Sequence, residues 1–354
     1  MKERESNFEL LRIIAMLLII SGHLANELGD WSELDDVNYI LCRIMGSASR
    51  ISVNLFLMIG AWFMVDMKFK ASRLLKIWGE VWIYCVPITI IMYLLGYDVS
   101  LYDLCTCFFP FWGRNLWFAS VYMALILMSP ILNKVLEMEL IYLKKLVVLL
   151  FLFVSGMCTV STYVDGWLPQ FSWFMCIYIL IGYYKNYMAG KVKKKAGFFI
   201  AGIGLYLVGV FVRIFGTMFD SQLVSFGVDM IKQYFSDYRS VPNFLCAFFI
   251  FIFFSKLHLK ENKIINWLAS GSFGVYIIHQ VPCFRREFLW ENIYNVHAHL
   301  NYKLFFLYYI WIVVSIYLVG TLIDRVRRKY IEPIWCRSRL FNKVCTFINE
   351  KMSC

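Results

Sequence analysis

The sequence predicts an all-α integral membrane protein, a single bundle of about ten transmembrane helices with the N- and C-termini cytoplasmic. Three observations carry this. Composition is the first: of 354 residues 60% are apolar, 19% aromatic and only 17% charged, with a mean hydropathy of +0.63, whereas soluble domains are roughly half apolar and about a quarter charged. The second is length of run, because apolar stretches recur that are long enough to cross roughly 30 Å of hydrocarbon as helices. The third is where the charges fall. The formal charge is +11, and the excess sits in alternate connections rather than in one nucleic-acid-binding patch, so no nucleic-acid partner is expected.

Candidate spans lie near residues 9–26, 51–67, 74–96, 116–133, 146–163, 169–187, 197–216, 241–256, 263–282 and 303–323. With the N-terminus inside, the even-numbered connections face the cytoplasm and carry fifteen basic residues, among them Lys68, Arg73, Lys144, Lys193 and Lys260, against eight in the odd-numbered ones. The first odd connection is also acidic, through Glu27, Asp30, Glu33, Asp35 and Asp36. This asymmetry follows the positive-inside rule. The ninth span, with Ser270-Gly271-Ser272 inside it, is only moderately apolar and suits a helix facing protein or a wet cleft. Residues 1–323 therefore read as one transmembrane domain. Residues 324–354 read as a basic amphipathic cytoplasmic tail, suited to lie on an anionic inner leaflet, with a solvated tail as the alternative. The polar start runs into the first span without a small-residue cleavage site, so the first helix is expected to stay.

Eleven cysteines are scattered without a CxxC pair, and His297-Ala298-His299 has no further ligand beside it. Neither a metal site nor a disulfide framework is expected.

The first span holds three ionisable side chains, Glu9, Arg12 and His23, in an otherwise apolar helix. Each costs on the order of a few kcal/mol in hydrocarbon unless paired or wetted. Glu9 and Arg12 are i, i+3 neighbours and form a structural pair. Arg12 and His23 are eleven residues apart, which at about 100° per residue returns them to nearly one face, about 16 Å apart along the axis. One face thus offers a permanent cation near one surface and a titratable base near the other. The alternative is that Arg12 snorkels to the headgroups and His23 marks the helix end. Ser21-Gly22 leaves room for a helix or ligand to approach His23.

The R-x10-H arrangement resembles the membrane acyltransferase-3 family, O-acyltransferases that modify bacterial surface polysaccharides. Glu9 matches the acidic residue three positions before the family's arginine, and Ile13-Ile14-Ala15 its small and aliphatic followers. Val53-Asn54-Leu55-Phe56 through Gly60-Ala61-Trp62-Phe63 is similar to the second-span motif, with Gly60-Ala61 where Ser-Gly is usual. Leu116-Trp117-Phe118 with Ser129-Pro130, and Ser272-Phe273-Gly274-Val275-Tyr276-Ile277-Ile278-His279, are similar to two later segments. Together they cover roughly residues 5 to 323. Where the family has a second arginine and then Tyr-Pro, this chain has Lys76-Ile77-Trp78-Gly79-Glu80, and Glu80 stands at i, i+4 to neutralise Lys76.

The resemblance implies transfer of an acyl group, usually acetyl, from cytoplasmic acyl-CoA to a hydroxyl of a capsular or other surface polysaccharide or its lipid-linked oligosaccharide precursor. The expected setting is a multi-pass protein of the bacterial plasma membrane. The residues supply a matching route. Arg12, Arg73 and Lys76 are candidates to bind the phosphates of acetyl-CoA as co-substrate. His23 is the candidate general base, since imidazole is poised near neutral pH, and a covalent acyl-histidine is the less favoured variant. His279 is a candidate to orient the acceptor or the thioester carbonyl; the alternative is an interfacial histidine capped by Tyr276 or a backbone carbonyl. Asn115, Trp117 and Tyr276 are candidates for the sugar, against an aromatic-belt role. No carboxylate is assigned to orient His23, although Glu27 lies one turn away. Among other functions, a glycan polymerase would show an arginine-rich outer loop. A polytopic transporter or flippase of glycan-related substrates would show matching broken helices in two halves. A passive scaffold leaves the shared face of Arg12 and His23 unexplained.

Overall fold

A computed structural model describes residues 4–29, 31–65, 67–109, 116–160, 167–193, 195–215 and 234–352. Among these residues there is no strand, and nearly every segment is helical. In hydrocarbon a backbone must satisfy its own polar groups, which only helices and closed barrels do.

The helices are α1 (Ser6–Glu27), α2 (Asp36–Ser47), α3 (Ser49–Met64), α4 (Ala71–Leu94), α5 (Leu101–Phe108), α6 (Trp117–Leu136), α7 (Leu140–Val160) and α8 (Trp167–Tyr183). They continue as α9 (Lys195–Phe215), α10 (Val241–Ser255), α11 (Lys263–Ala269), α12 (Ser272–Gln280), α13 (Phe305–Val326), α14 (Glu332–Arg337) and α15 (Arg339–Met352). By length and apolarity, seven helical stretches of the described residues can cross a membrane: Ser6–Glu27, Asp36–Met64, Ala71–Leu94, Trp117–Leu136, Lys195–Ile214, Tyr234–Ser255 and Phe305–Arg337. The chain is an all-α integral membrane protein.

The expected second span is longer than its apolar run, because α2 leads into α3 through Ala48, which keeps a right-handed helical backbone. Asp35 caps α2, accepting from the Asn38 N–H, and these backbone bonds hold its carboxyl below the usual carboxylate range. The expected ninth span is two short helices, α11 and α12, broken at Ser270-Gly271. The break seats Gly271 against Thr321 of α13, where a Cβ would meet the threonine backbone and side chain at 3.1 Å.

Helix α1 lies at the centre of the bundle, against α2, α3, α10, α11, α12 and α13. Lipid tails are as apolar as leucine, so close packing and small residues hold such helices together. Gly22 shows this: a Cβ there would fall 2.0 Å from that of Ser49, so α3 approaches α1 at van der Waals contact. The outside is apolar as well. Helix α13 buries Tyr309, Ile312, Val313 and Tyr317 and turns Leu307, Trp311, Leu318 and Leu322 outward, the inversion expected of a lipid-facing helix.

At the Arg12 end, charges are paired inside protein. Asp324, fully buried, accepts from Tyr84 at 2.9 Å and pairs with Arg327 at 2.9 Å and Arg328 at 2.7 Å. Arg327 also reaches Glu80 at 3.2 Å and Glu332 at 3.1 Å. Glu80 therefore pairs with Arg327 and not with Lys76, whose partner is Glu332 at 3.2 Å. Beyond α13 the chain folds back on α4. The Trp335 indole covers Gly79, Ala71 packs with Phe341 and Cys345, and the Ala71 N–H donates to Asn349.

Candidate functional site

The polar centre is built where α1 meets the end of α12. His23 Nδ1 lies 2.9 Å from His279 Nε2 and 2.8 Å from the side-chain nitrogen of Gln280. His279 is buried, and its Nδ1 lies 2.6 Å from the Val275 carbonyl one turn earlier. A carbonyl can only accept, so His279 Nδ1 carries the proton and Nε2 turns its lone pair to His23. Arg285 Nη1 donates to Gln280 Oε1 at 3.1 Å, which leaves the amide NH2 of Gln280 to face His23. Arg285 is in turn 3.5 Å from Glu27. Glu27 thus reaches His23 through Arg285 and Gln280 rather than directly.

One atom, His23 Nδ1, therefore has an acceptor and a donor at bonding distance. With a proton it donates to His279, and Nε2 is left as a bare base. Without one it accepts from Gln280, and Nε2 carries the proton. Each neutral tautomer satisfies one partner and faces the other like to like, N–H against N–H or lone pair against lone pair, so neither is locked in, which suits a group that takes up and returns a proton.

Two cavities flank the shared face of α1. The first, a narrow one of about 40 Å³, is lined by Met16, Ile19 and His23 of α1 together with Val53, Phe56, Trp117, Phe118, Phe273 and Tyr276. The Tyr276 hydroxyl is buried without a hydrogen-bond partner among the described residues, close to the Phe118 and Ala119 backbone, and Trp117 stacks on Tyr238 with centroids 5.7 Å apart. His23, Trp117 and Tyr276 thus line one cavity. Asn115 lies outside the described residues.

The second cavity, about 370 Å³, is lined by Arg12, Lys70, Arg73 and Lys76 with Gly60, Phe63, Tyr122, Ile126 and Ser129 among others. All three expected cations share it. Arg12 is held by Glu9 at 2.6 Å and Lys76 by Glu332 at 3.2 Å, while Arg73 donates to the Lys68 carbonyl at 3.3 Å and pairs with no acid among the described residues. Gly60 matters here, because a Cβ would fall 2.7 Å from the Tyr122 hydroxyl. Between the cavities stand two rings, Phe118 of the first and Tyr122 of the second, stacked 5.8 Å apart at 12°. On α1, Arg12, Met16, Ile19 and His23 run from one cavity to the other at helical spacing.

Sequence reasoning missed Gln280, Arg285, Lys70 and Tyr122. Gln280 is 257 positions from the histidine it touches, and nothing in spacing along one helix reports a partner from another. The second-span Asn54 is structural. It accepts from the Trp173 indole at 2.9 Å and donates to the Tyr238 carbonyl at 2.6 Å, so it sets the wall behind Trp117.

Fold and site together define a multi-pass helical membrane protein with a paired-histidine centre and a cationic cavity on one helix face. The family model of the acyltransferase-3 proteins, described as an acyltransferase domain, matches residues 5–325. The chain belongs to that family and is a membrane acyltransferase. Neither the comparison with curated proteins nor that with solved structures returns a match.

Proposed function

We propose that the protein moves an acetyl group from cytoplasmic acetyl-CoA to a hydroxyl of a cell-surface or capsular polysaccharide, or of its lipid-linked precursor, in a bacterial plasma membrane. The observation that carries this reading is the α1 face on which Arg12 and His23 each line a cavity, with one aromatic stack between them.

In this reading the second cavity holds the phosphates of the donor. Arg73 and Lys70, which no acid pairs with among the described residues, supply the charge, and Arg12 supplies hydrogen bonds beyond its pair with Glu9. The thioester reaches the first cavity along Met16 and Ile19, past Phe118 and Tyr122. His23, as the Nδ1–H tautomer held by His279, takes the proton of the acceptor hydroxyl on Nε2. The oxygen forms a bond to the acyl carbon, the carbon–sulfur bond breaks, and the proton on His23 goes to the departing sulfur. Trp117 offers a face on which a sugar ring stacks, and the Tyr276 hydroxyl offers a hydrogen bond.

The test is His23→Ala in cells, with O-acetyl groups on the surface glycan read by NMR. A general base contributes about 10²- to 10⁴-fold, so acetylation falls below detection while the protein inserts at its normal level. Full acetylation in that variant removes His23 from the mechanism.

A further inference from the structure

We infer that the arginines at the His23 end of the bundle form a binding site for a phosphoryl group of the acceptor. This deepens the acyltransferase reading and rests on it.

A cavity of about 260 Å³ is lined by Arg43 of α2, Arg50 of α3 and Arg213 of α9, with Asn26, Trp31 and Ser236. Three helices each bring one guanidinium to the same space. Among the described residues no carboxylate pairs with any of them. Asp237, near Arg50, is held by Arg239 at 2.7 Å instead. Arg43 lies with its guanidinium carbon 4.0 Å from the Trp31 ring centroid, and its Nε is buried without a hydrogen-bond partner among the described residues. Arg213 spends its Nε–H on the Gly209 carbonyl at 3.2 Å, and among the described residues its terminal nitrogens have no partner.

Three cations gathered in a small, partly buried space repel one another, and an anion of matching charge bound among them relieves that repulsion. A carboxylate brings one negative charge, whereas a phosphate monoester brings about two and a diphosphate more. The planar forks of arginine match phosphoryl oxygens two at a time. The site also lies where an acceptor must be held. Asn26, in the lining of the cavity, is three residues beyond His23 on α1, about one helical turn further along, and Arg50 follows Ser49, which packs on Gly22 next to His23. A phosphoryl group anchored there leaves the sugar next to it within reach of the imidazole.

The test uses the full-length protein in nanodiscs of neutral phosphatidylcholine. Every sample carries Arg73→Gln, which weakens anion binding in the opposite cavity. Calorimetry with inorganic pyrophosphate is expected to show one saturable site, weakened at least about ten-fold by Arg50→Gln and by Arg213→Gln. Farnesyl diphosphate, titrated in parallel, separates the two sources of the group: tighter binding than pyrophosphate through the same arginines points to a lipid-linked acceptor, and equal binding to a soluble phosphorylated glycan. Either outcome supports the site. No binding, or binding indifferent to both arginine changes, overturns it. Binding indifferent to the arginines, in a protein whose acetylation still needs His23, sinks this inference alone. Arginine-dependent binding in a protein that acetylates without His23 sinks the reading beneath it.

Discussion

His23 is shared between His279 and Gln280 at a single ring nitrogen, so its protonation depends on both neighbours. Arg285 holds Gln280 with its amide toward the imidazole, and under the proposed mechanism the two are positioning residues. Misplacing a reacting group by about 1 Å costs on the order of 10²-fold. Gln280→Leu is accordingly expected to lower kcat by about that factor with KM for acetyl-CoA unchanged, as steady-state assays of purified protein can read. Arg285→Lys should recover part of what Arg285→Ala loses, since an ammonium still donates to Oε1 without the planar fork. A purely structural role for Gln280 would move KM, kcat and the amount of folded protein together. The opposite split is expected at the other cavity, where Arg73→Gln should raise KM for acetyl-CoA about ten-fold and leave kcat near its starting value.

At the scale of helices, the position of His23 depends on how closely α3 is drawn to α1. Gly22 and Ser49 make that contact without spare room. Gly22→Ala forces the helices apart, at about 1–3 kcal/mol by the usual cost of overpacking, and should lower the unfolding temperature in detergent. Ser49→Gly in the same chain removes the opposing Cβ and should restore it. The sequence made this contact legible in part, since Gly22 stands next to the histidine in a helix of bulky aliphatics. The break between α11 and α12 was legible only as weak hydropathy, because a turn seated against Thr321 is dictated by α13 and not by its own residues. Similarly Glu80 sits at the right spacing for Lys76, yet Arg327 from a distant segment claims it. Spacing along one helix identifies neighbours on that helix; it carries no information about what other helices bring.

For the whole molecule, composition was enough to establish a helical membrane protein, and the ordered motifs were enough to establish the family, because both are properties of long stretches. The α1 face was legible too, since helical periodicity is exact enough over eleven residues to bring Arg12 and His23 into line. What needed three dimensions was the division of that face between two cavities and the arginine cavity assembled from α2, α3 and α9. The charge distribution makes one global prediction. If both termini are cytoplasmic, a cysteine placed at Asp35 reacts with an impermeant thiol reagent in intact cells, while one at Lys193 reacts only after the membrane is opened. The reverse labelling would invert the path assigned to the acyl group.

The stacked rings of Phe118 and Tyr122 bear on the cell as well as on the reaction. An enzyme that passes a small group from one side of a bilayer to the other risks becoming a leak for protons, and a leak drains the gradient that powers the membrane it sits in. Two stacked aromatic rings at that point leave less room for a continuous thread of water. With smaller side chains at those positions, proteoliposomes should lose a pH gradient faster.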